Sequence, residues 1–413
     1  MNNIEVAYIL LRFPYLTETF VAEEIQKIQT SGVKVHLFSL LSPRKGLVHP
    51  VSEKLVAQAI YVPSLLSPRL WIAQVYFILT KPKRYINLLR ILLKQPAPNY
   101  TILIKRTVIF FKSIWIAKQI QYSSIQLIHT HFAWLSAAGS MIVSELLDIP
   151  FTLTAHAYDI YSQKSDLLEL TTSKSDRVIT ISEYNKREIL DRCRTLNVED
   201  IEVIHCGVDV EQFQAAKRQH QNLKVKITSV GSLTEKKGHA YLIEACKKLD
   251  SQGLDFHCEI IGEGNLHESL QDLIGSLHLE DQVSLAGSLS QNDVRQRLSN
   301  SDLFVLACVE TNKGGRDGIP VAMMEALAME VPVVSTNVSG IPELIKHEST
   351  GLLVRDKDVD GLVFMINQVV HNNKLRVRLQ RNGRKLVNDQ FNIEENAKDL
   401  ANSFHKVIIS GKL

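Results

Sequence analysis

Two doubly wound α/β domains are what this sequence predicts, and three features predict them. At 413 residues the chain is long enough for two ordinary domains, each with its own core. Short apolar runs alternate with helical stretches in two series, one spanning residues 6–205 and the other 225–354. Between the series lies AAKRQHQNLK, polar and basic enough to be a solvated linker. Parallel strands linked by helices gather their ligands at the strands' carboxyl ends, so chemistry-bearing residues are sought there.

The first series opens with a strand at 6–11 and a helix starting near Thr17 or Glu18, which Thr17 or Thr19 can cap. A second strand covers 33–39. The pattern is then helical from about 51 to 120, broken at Pro63, Pro68, Pro82, Pro96 and Pro98. Strands resume at 127–131, 151–155, 177–182 and 202–205. The second series starts at Val225 and has further strands at 257–261, 282–285, 302–306 and 333–335. After GLLV, which ends at Val354, the chain is helical to its end.

Composition narrows the functional classes. With 45% hydrophobic and 22% charged residues and a net charge of +3, nothing in the bulk balance points to nucleic acid. The distribution is less even. Residues 54–144 hold no Asp or Glu but eleven Lys and Arg, interleaved with apolar and aromatic side chains as in LWIAQVYFILT and TVIFFKSIWIAKQI. Basic amphipathic helices of this kind suit an anionic membrane surface, and no run is long enough to span a bilayer. The competing reading is a helical core with a basic, solvated rim. Five cysteines without a CxxC pair, and an N-terminus without a basic n-region, fit a reducing cytoplasm. The 14 histidines show no ligand spacing of the HExxH kind, so no bound metal is expected.

The most informative stretch is VETNKGGRDGIPVAMMEALAMEVPVVSTNVSGIPEL, residues 309–344. A loop with Gly314, Gly315 and Gly318 feeds a helix expected to open at Pro320, a seat where backbone N–H groups can face an anion. Asp317 and Glu325 bracket that seat with seven residues between them. Taken alone, the pair also fits a capping aspartate and a solvated helix glutamate.

This layout resembles the acid-x7-acid element of retaining glycosyltransferases of the GT-B fold, the group that includes glycogen synthases, and GIPVAMMEALAMEVPVVSTNVSGIPELI is closest to the colanic-acid and exopolysaccharide members. That family usually has glutamate where this chain has Asp317. FPYLTETF resembles an acceptor-side FPxxSETF segment, which makes Arg12, Thr17, Glu18 and Thr19 acceptor-side candidates. HTHFAWLSAAG and TAHAYDIY are similar to the same family, and His156 with Asp159 matches its HxxD element. HCGVDVEQF resembles a junction turn, with Cys206 at the usual asparagine. VGSLTEKKG resembles the donor-side loop: Lys237 fits the family lysine, and Ser232 stands where an arginine is expected. IGEGN marks a strand end near which the family's nucleotide base packs.

The resemblance implies two Rossmann-like domains facing each other across a cleft, at 1–213 and 214–390, with a segment 391–413 crossing back to the first. It implies a retaining, metal-independent hexosyltransferase that needs no cofactor beyond its nucleotide diphosphate sugar. Glu325 would hold the ribose and Asp317 the sugar hydroxyls. Lys237 and Lys236, with the N–H groups near Gly318 and Ile319, would hold the diphosphate. Ser232, Gly231 and Gly262 would line the donor site. His156 would meet the sugar near the bond being broken, with His131 and Asp159 toward the acceptor. The acceptor would be a glycan or lipid-linked oligosaccharide, on the inner face of the cytoplasmic membrane. Two other readings stay open: an epimerase using His129, His131 and His156, and a scaffold that lost turnover through Ser232 and Asp317.

Overall fold

The computed structural model describes residues 4–15, 18–43, 50–97, 99–161, 167–215 and 224–411. It divides into two compact units, Met1–Ile204 with Glu394–Leu413, and His205–Ile393.

In the first unit β1 (Glu5–Arg12), β2 (Lys34–Leu41), β3 (Ile60–Tyr61), β4 (Leu127–His131), β5 (Phe151–Ala155), β6 (Arg177–Thr180) and β7 (Ile201–Val203) form one parallel sheet, ordered β3-β2-β1-β4-β5-β6-β7. β4 and β5 are buried along their whole length. Helices cover both faces of such a sheet, so these strands are apolar runs and their polar side chains need internal partners. The order reverses between β1 and β4, which makes their carboxyl ends the switch point of this sheet.

The short edge strand β3 falls inside a section expected to be helical. It pairs Ile60 with Phe38 and Tyr61 with Ser39, and two residues are too few to show a period. The helix Thr19–Thr30 begins with Glu18 at its N-cap and no side-chain cap, so Thr19 is its first residue and does not cap it. Thr17 lies outside the described residues.

The acid-free section forms the helices Pro68–Thr80, Pro82–Lys94 and Tyr100–Ile120. Its cations divide into two kinds. Arg106 is fully buried and donates to the carbonyls of Gln95 and Pro96 at 2.7 Å each, and Lys112 is buried and donates to Leu40 O at 2.7 Å. These two stitch the helix to neighbouring chain segments. Arg69, Lys83, Arg90, Lys94 and Lys105 are exposed, and so is an apolar stripe on the first of these helices: Trp71, Ile72, Val75, Ile78 and Leu79. Among the described residues no helix is long and apolar enough to cross a membrane.

The C-terminal helix Ile393–Ser410 lies almost wholly in the first unit. Its Phe404 packs on Tyr8 and His129, Ser403 donates to Glu202 at 2.6 Å, and Glu394 pairs with Lys27 at 2.9 Å.

In the second unit β8 (Val225–Val230), β9 (Phe256–Ile261), β10 (Val283–Gly287), β11 (Leu303–Leu306), β12 (Val333–Thr336) and β13 (Leu352–Val354) form a second parallel sheet, ordered β10-β9-β8-β11-β12-β13. Its switch point lies between β8 and β11. The segment 205–213, expected to close the first domain, belongs here: Val208 N donates to Phe391 O at 2.8 Å and Ile393 N to Val208 O at 3.2 Å, and His205 stacks on Phe391.

Candidate active site

The switch point of the second sheet brings three strand ends together. After β8 the chain runs through Gly231 and Ser232 into a 3-10 turn at Glu235–Lys237, then reverses at Gly238 into the helix His239–Ser251. Gly231 N donates to Ile261 O at the end of β9, and Val309 N, just past β11, donates to Lys236 O at 3.0 Å. Glycine is required where these loops meet. A Cβ at Gly262 would lie 2.1 Å from Gly231 O, at a φ of 144°. The Lys237 stem lies along Gly231, 3.2 to 3.4 Å from where a Cβ would stand.

The loop after β11 delivers Asp317 to this turn. Lys236 Nζ pairs with Asp317 Oδ1 at 3.0 Å, and Lys237 Nζ pairs with Oδ2. Lys237 and Asp317 are mostly buried, at 14% and 15% side-chain exposure, and Lys236 reaches 33%. Burial works against both inner charges, but each outweighs that for the other. The two ammonium groups hold the Asp317 carboxyl well below the usual carboxylate range, and Asp317 raises the Lys237 pKa. The result is one net positive charge at the switch point. Two neighbours stay neutral beside it: burial pushes the Cys308 thiol up to about 12, and burial with the Lys237 charge brings His239 down to about 4.

The glycine loop is itself ordered, since Gly314 N donates to Thr311 O and Thr311 N to Gly315 O. Pro320 takes the N-cap position, with ψ at 125°, so the helix Val321–Ala328 starts one residue later than expected. Gly318 and Ile319 are buried at its entrance, and Glu325 lies half-buried on its second turn. Ser232 spans only to Thr234, hydroxyl to hydroxyl at 3.3 Å, which is the reach expected of a serine at an arginine's place.

The first unit carries a second cluster at its own switch point. His156, just past β5, is 5% exposed and meets His131 at 2.9 Å, Nε2 to Nδ1. His131 Nε2 meets Glu24 Oε1 at 3.1 Å, and Tyr8 donates to the same oxygen at 3.1 Å. His129 sits beneath them between Thr152 and Thr154. Burial keeps His156 and His129 well below the ordinary histidine pKa. Glu18, at the N-cap of the helix Thr19–Thr30, is half-buried, and burial pushes its carboxyl up to about 7. Arg12 turns its guanidinium to the carbonyl of Ser42.

Two residues expected toward the acceptor face inward instead. His131 is 1% exposed with both ring nitrogens engaged. Asp159 is 2% exposed and accepts from Ala133 N at 2.7 Å and His156 N at 3.1 Å, bracing the turn that carries His156. Both are buried because the ends of β4 and β5 are covered by helix on each face. Glu24 and Tyr8 had no motif to announce them. Glu24, His129 and His131 also form a group whose ligand atoms lie within 4.8 Å of one another, close enough to share a cation, although both histidines have protein partners at each ring nitrogen.

Two Rossmann-like units with polar clusters at the switch points of their sheets define a protein of the GT-B class. Two family models match the chain, "Glycosyl transferases group 1" over residues 210–386 and "Glycosyltransferase Family 4" over residues 17–212. The two matches divide the chain between them, and the chain is similar to the group 1 glycosyltransferases. It is 40% identical over 168 residues to the amylovoran biosynthesis glycosyltransferase AmsK of Erwinia amylovora, covering 41% of each chain. It is 41% identical over 164 residues to the putative colanic acid biosynthesis glycosyltransferase WcaL of Escherichia coli, covering 40% of each. The chain thus spans about two-fifths of the length of these curated relatives. In fold it is similar to Anabaena Alr3699/HepE, solved in complex with UDP and glucose, with a TM-score of 0.72 at 15% identity over 98% of this chain and 100% of that one.

Proposed function

We propose that this protein is a retaining, metal-independent glycosyltransferase that moves a hexose from a nucleotide diphosphate sugar to a glycan acceptor in cell-surface polysaccharide synthesis. The observation that carries it is the pair Lys236 and Lys237, held around Asp317 at the carboxyl ends of β8 and β11. Breaking the glycosidic bond builds negative charge on the departing diphosphate, and preorganised cations aimed at that charge are normally the largest catalytic contribution. A diphosphate arriving there meets ammonium groups already shared with Asp317, so the carboxylate gives up part of its hold and is free to accept from sugar hydroxyls. Glu325 would accept from the ribose diol, and the N–H groups of Gly318 and Ile319 would face the phosphates. His156 would meet the sugar, and the leaving phosphate would help deprotonate the acceptor on the same face of the ring. AmsK and WcaL support the polysaccharide setting by their names, and the UDP and glucose bound to HepE support the donor class.

The test is a screen of UDP-, GDP- and ADP-sugars by thermal shift and hydrolysis, with and without EDTA. One donor is expected to raise Tm by mass action and to be slowly hydrolysed in EDTA. Loss of turnover in EDTA overturns metal independence. Conversion of the donor sugar without acceptor supports the epimerase, and failure of every donor to bind supports the scaffold.

We also propose a lipid-linked acceptor met at an anionic membrane surface. The exposed stripe Trp71, Ile72, Val75, Ile78 and Leu79, with exposed Arg69 on the same helix and exposed Lys83 and Arg90 on the next, supports this. Each cation near anionic lipid contributes about 1 kcal/mol, which salt removes, whereas apolar insertion survives salt. Co-sedimentation with phosphatidylglycerol vesicles should therefore weaken but persist in high salt. The double variant Ile72→Glu with Leu79→Glu, both at exposed positions, should abolish the residual binding. A wild-type protein that stays in the supernatant at low salt overturns the membrane reading.

A further inference from the structure

Glu24 lies outside every motif of the sequence, yet it terminates the hydrogen-bonded chain that ends on His156. Its Oε1 accepts from the Tyr8 hydroxyl and faces His131 Nε2, each at 3.1 Å. A carboxylate has no hydrogen to give, so His131 Nε2 carries the proton. With His131 neutral, its second nitrogen is then an acceptor, and its partner, 2.9 Å away, is His156 Nε2. Against a neutral His131, His156 Nε2 is the donor. That leaves His156 Nδ1 with a lone pair, and it has no hydrogen-bond partner among the described residues. The ring is clamped in this orientation. Phe20 and Phe132 pack on it at centroid distances of 5.0 and 4.7 Å, and His131 stacks at 5.2 Å. The His156 backbone is held as well, with its N–H on Asp159 and its carbonyl accepting from Asn185.

We propose that Glu24 and His131 are positioning residues that hold His156 as its Nε2–H tautomer, so that the ring offers Nδ1 to the donor sugar strictly as a hydrogen-bond acceptor. The proposal rests on the reading that His156 meets the donor. Its chemical consequence is selectivity: Nδ1 so fixed pairs with a sugar hydroxyl and is left unpaired by a deoxy analogue lacking that hydroxyl. The direction of the chain is set by one group, the Glu24 carboxylate. In Glu24→Gln the side-chain amide can donate to His131 Nε2, which permits the opposite polarity through both rings and puts the proton on His156 Nδ1. Glu24→Asp keeps an obligate acceptor.

The experiment is 15N NMR of the full chain labelled at histidine, with His156 assigned from the spectrum of His156→Asn. Wild type is expected to show His156 with Nε2 protonated and Nδ1 bare. In Glu24→Gln the Nδ1–H form should appear, and kcat with the donor found in the sugar-nucleotide screen should fall about ten- to a hundredfold at little change in KM. Glu24→Asp should recover the wild-type tautomer and part of the rate. Wild-type His156 in the Nδ1–H form overturns the proposal, as does a Glu24→Gln protein that loses rate with its tautomer unchanged, since that is the behaviour of a merely structural residue. Full activity of His156→Asn would instead refute the part given to His156 under the proposed function, while the spectra still decide the polarity of the chain.

Discussion

Lys237→Met will transfer sugar about 10²- to 10³-fold more slowly than wild type, with most of the loss in kcat. Methionine keeps the unbranched stem that lies over Gly231 and removes only the ammonium group, so the change isolates the charge. Lys236 cannot replace it. At 33% exposure Lys236 is the more hydrated cation, and its charge is then taken up by Asp317 alone, leaving the switch point close to neutral. A smaller effect on folding follows from the same pair. Asp317 has a folded pKa below its unfolded one, so its ion pairs stabilise the protein above about pH 4 and that contribution is lost as pH falls through the folded pKa. Removing one of the two partners shrinks the contribution, so urea denaturation should show Lys237→Met less stable at pH 7 by about 1 to 2 kcal/mol and with a shallower loss of stability in acid. A variant within threefold of wild-type kcat would place the diphosphate elsewhere.

The second large effect is on stability. Gly238 has a φ of 66°, and a Cβ there would stand 1.7 Å from the carbonyl oxygen of Ala307. That oxygen belongs to backbone just past β11, so it cannot swing aside as a long side chain would. Gly238→Ala must push the lysine turn away from β11 and strain the bond from Val309 N to Lys236 O. The expected loss is about 3 kcal/mol or more. Gly253 supplies the control: its φ is 79° with nothing within 4 Å of a Cβ, so Gly253→Ala carries only the left-handed penalty of about 1 kcal/mol. Equal losses at the two sites, measured by urea denaturation, would show that the close approach at Gly238 is relieved without consequence.

The sequence by itself determined the two parallel sheets, because short runs of apolar and β-branched residues alternate with helical stretches: FTLTA, LFVL and VVST each stand in the structure where that alternation put them. It also picked out Lys237, Asp317 and His156, which lie in the segments that follow β8, β11 and β5. Tertiary structure decided what those residues do to one another. Lys236 and Asp317 are 81 positions apart, and only the adjacency of β8 and β11 makes them an ion pair. Charge composition marked residues 54–144 as basic but held no sign that Arg106 and Lys112 are internal, since burial of a cation depends on carbonyls supplied by other segments. Glu24 was invisible for the same reason. Its partners lie 16 and 107 residues away, and a hydrogen bond from a helix to distant strands leaves no period in the chain that makes it.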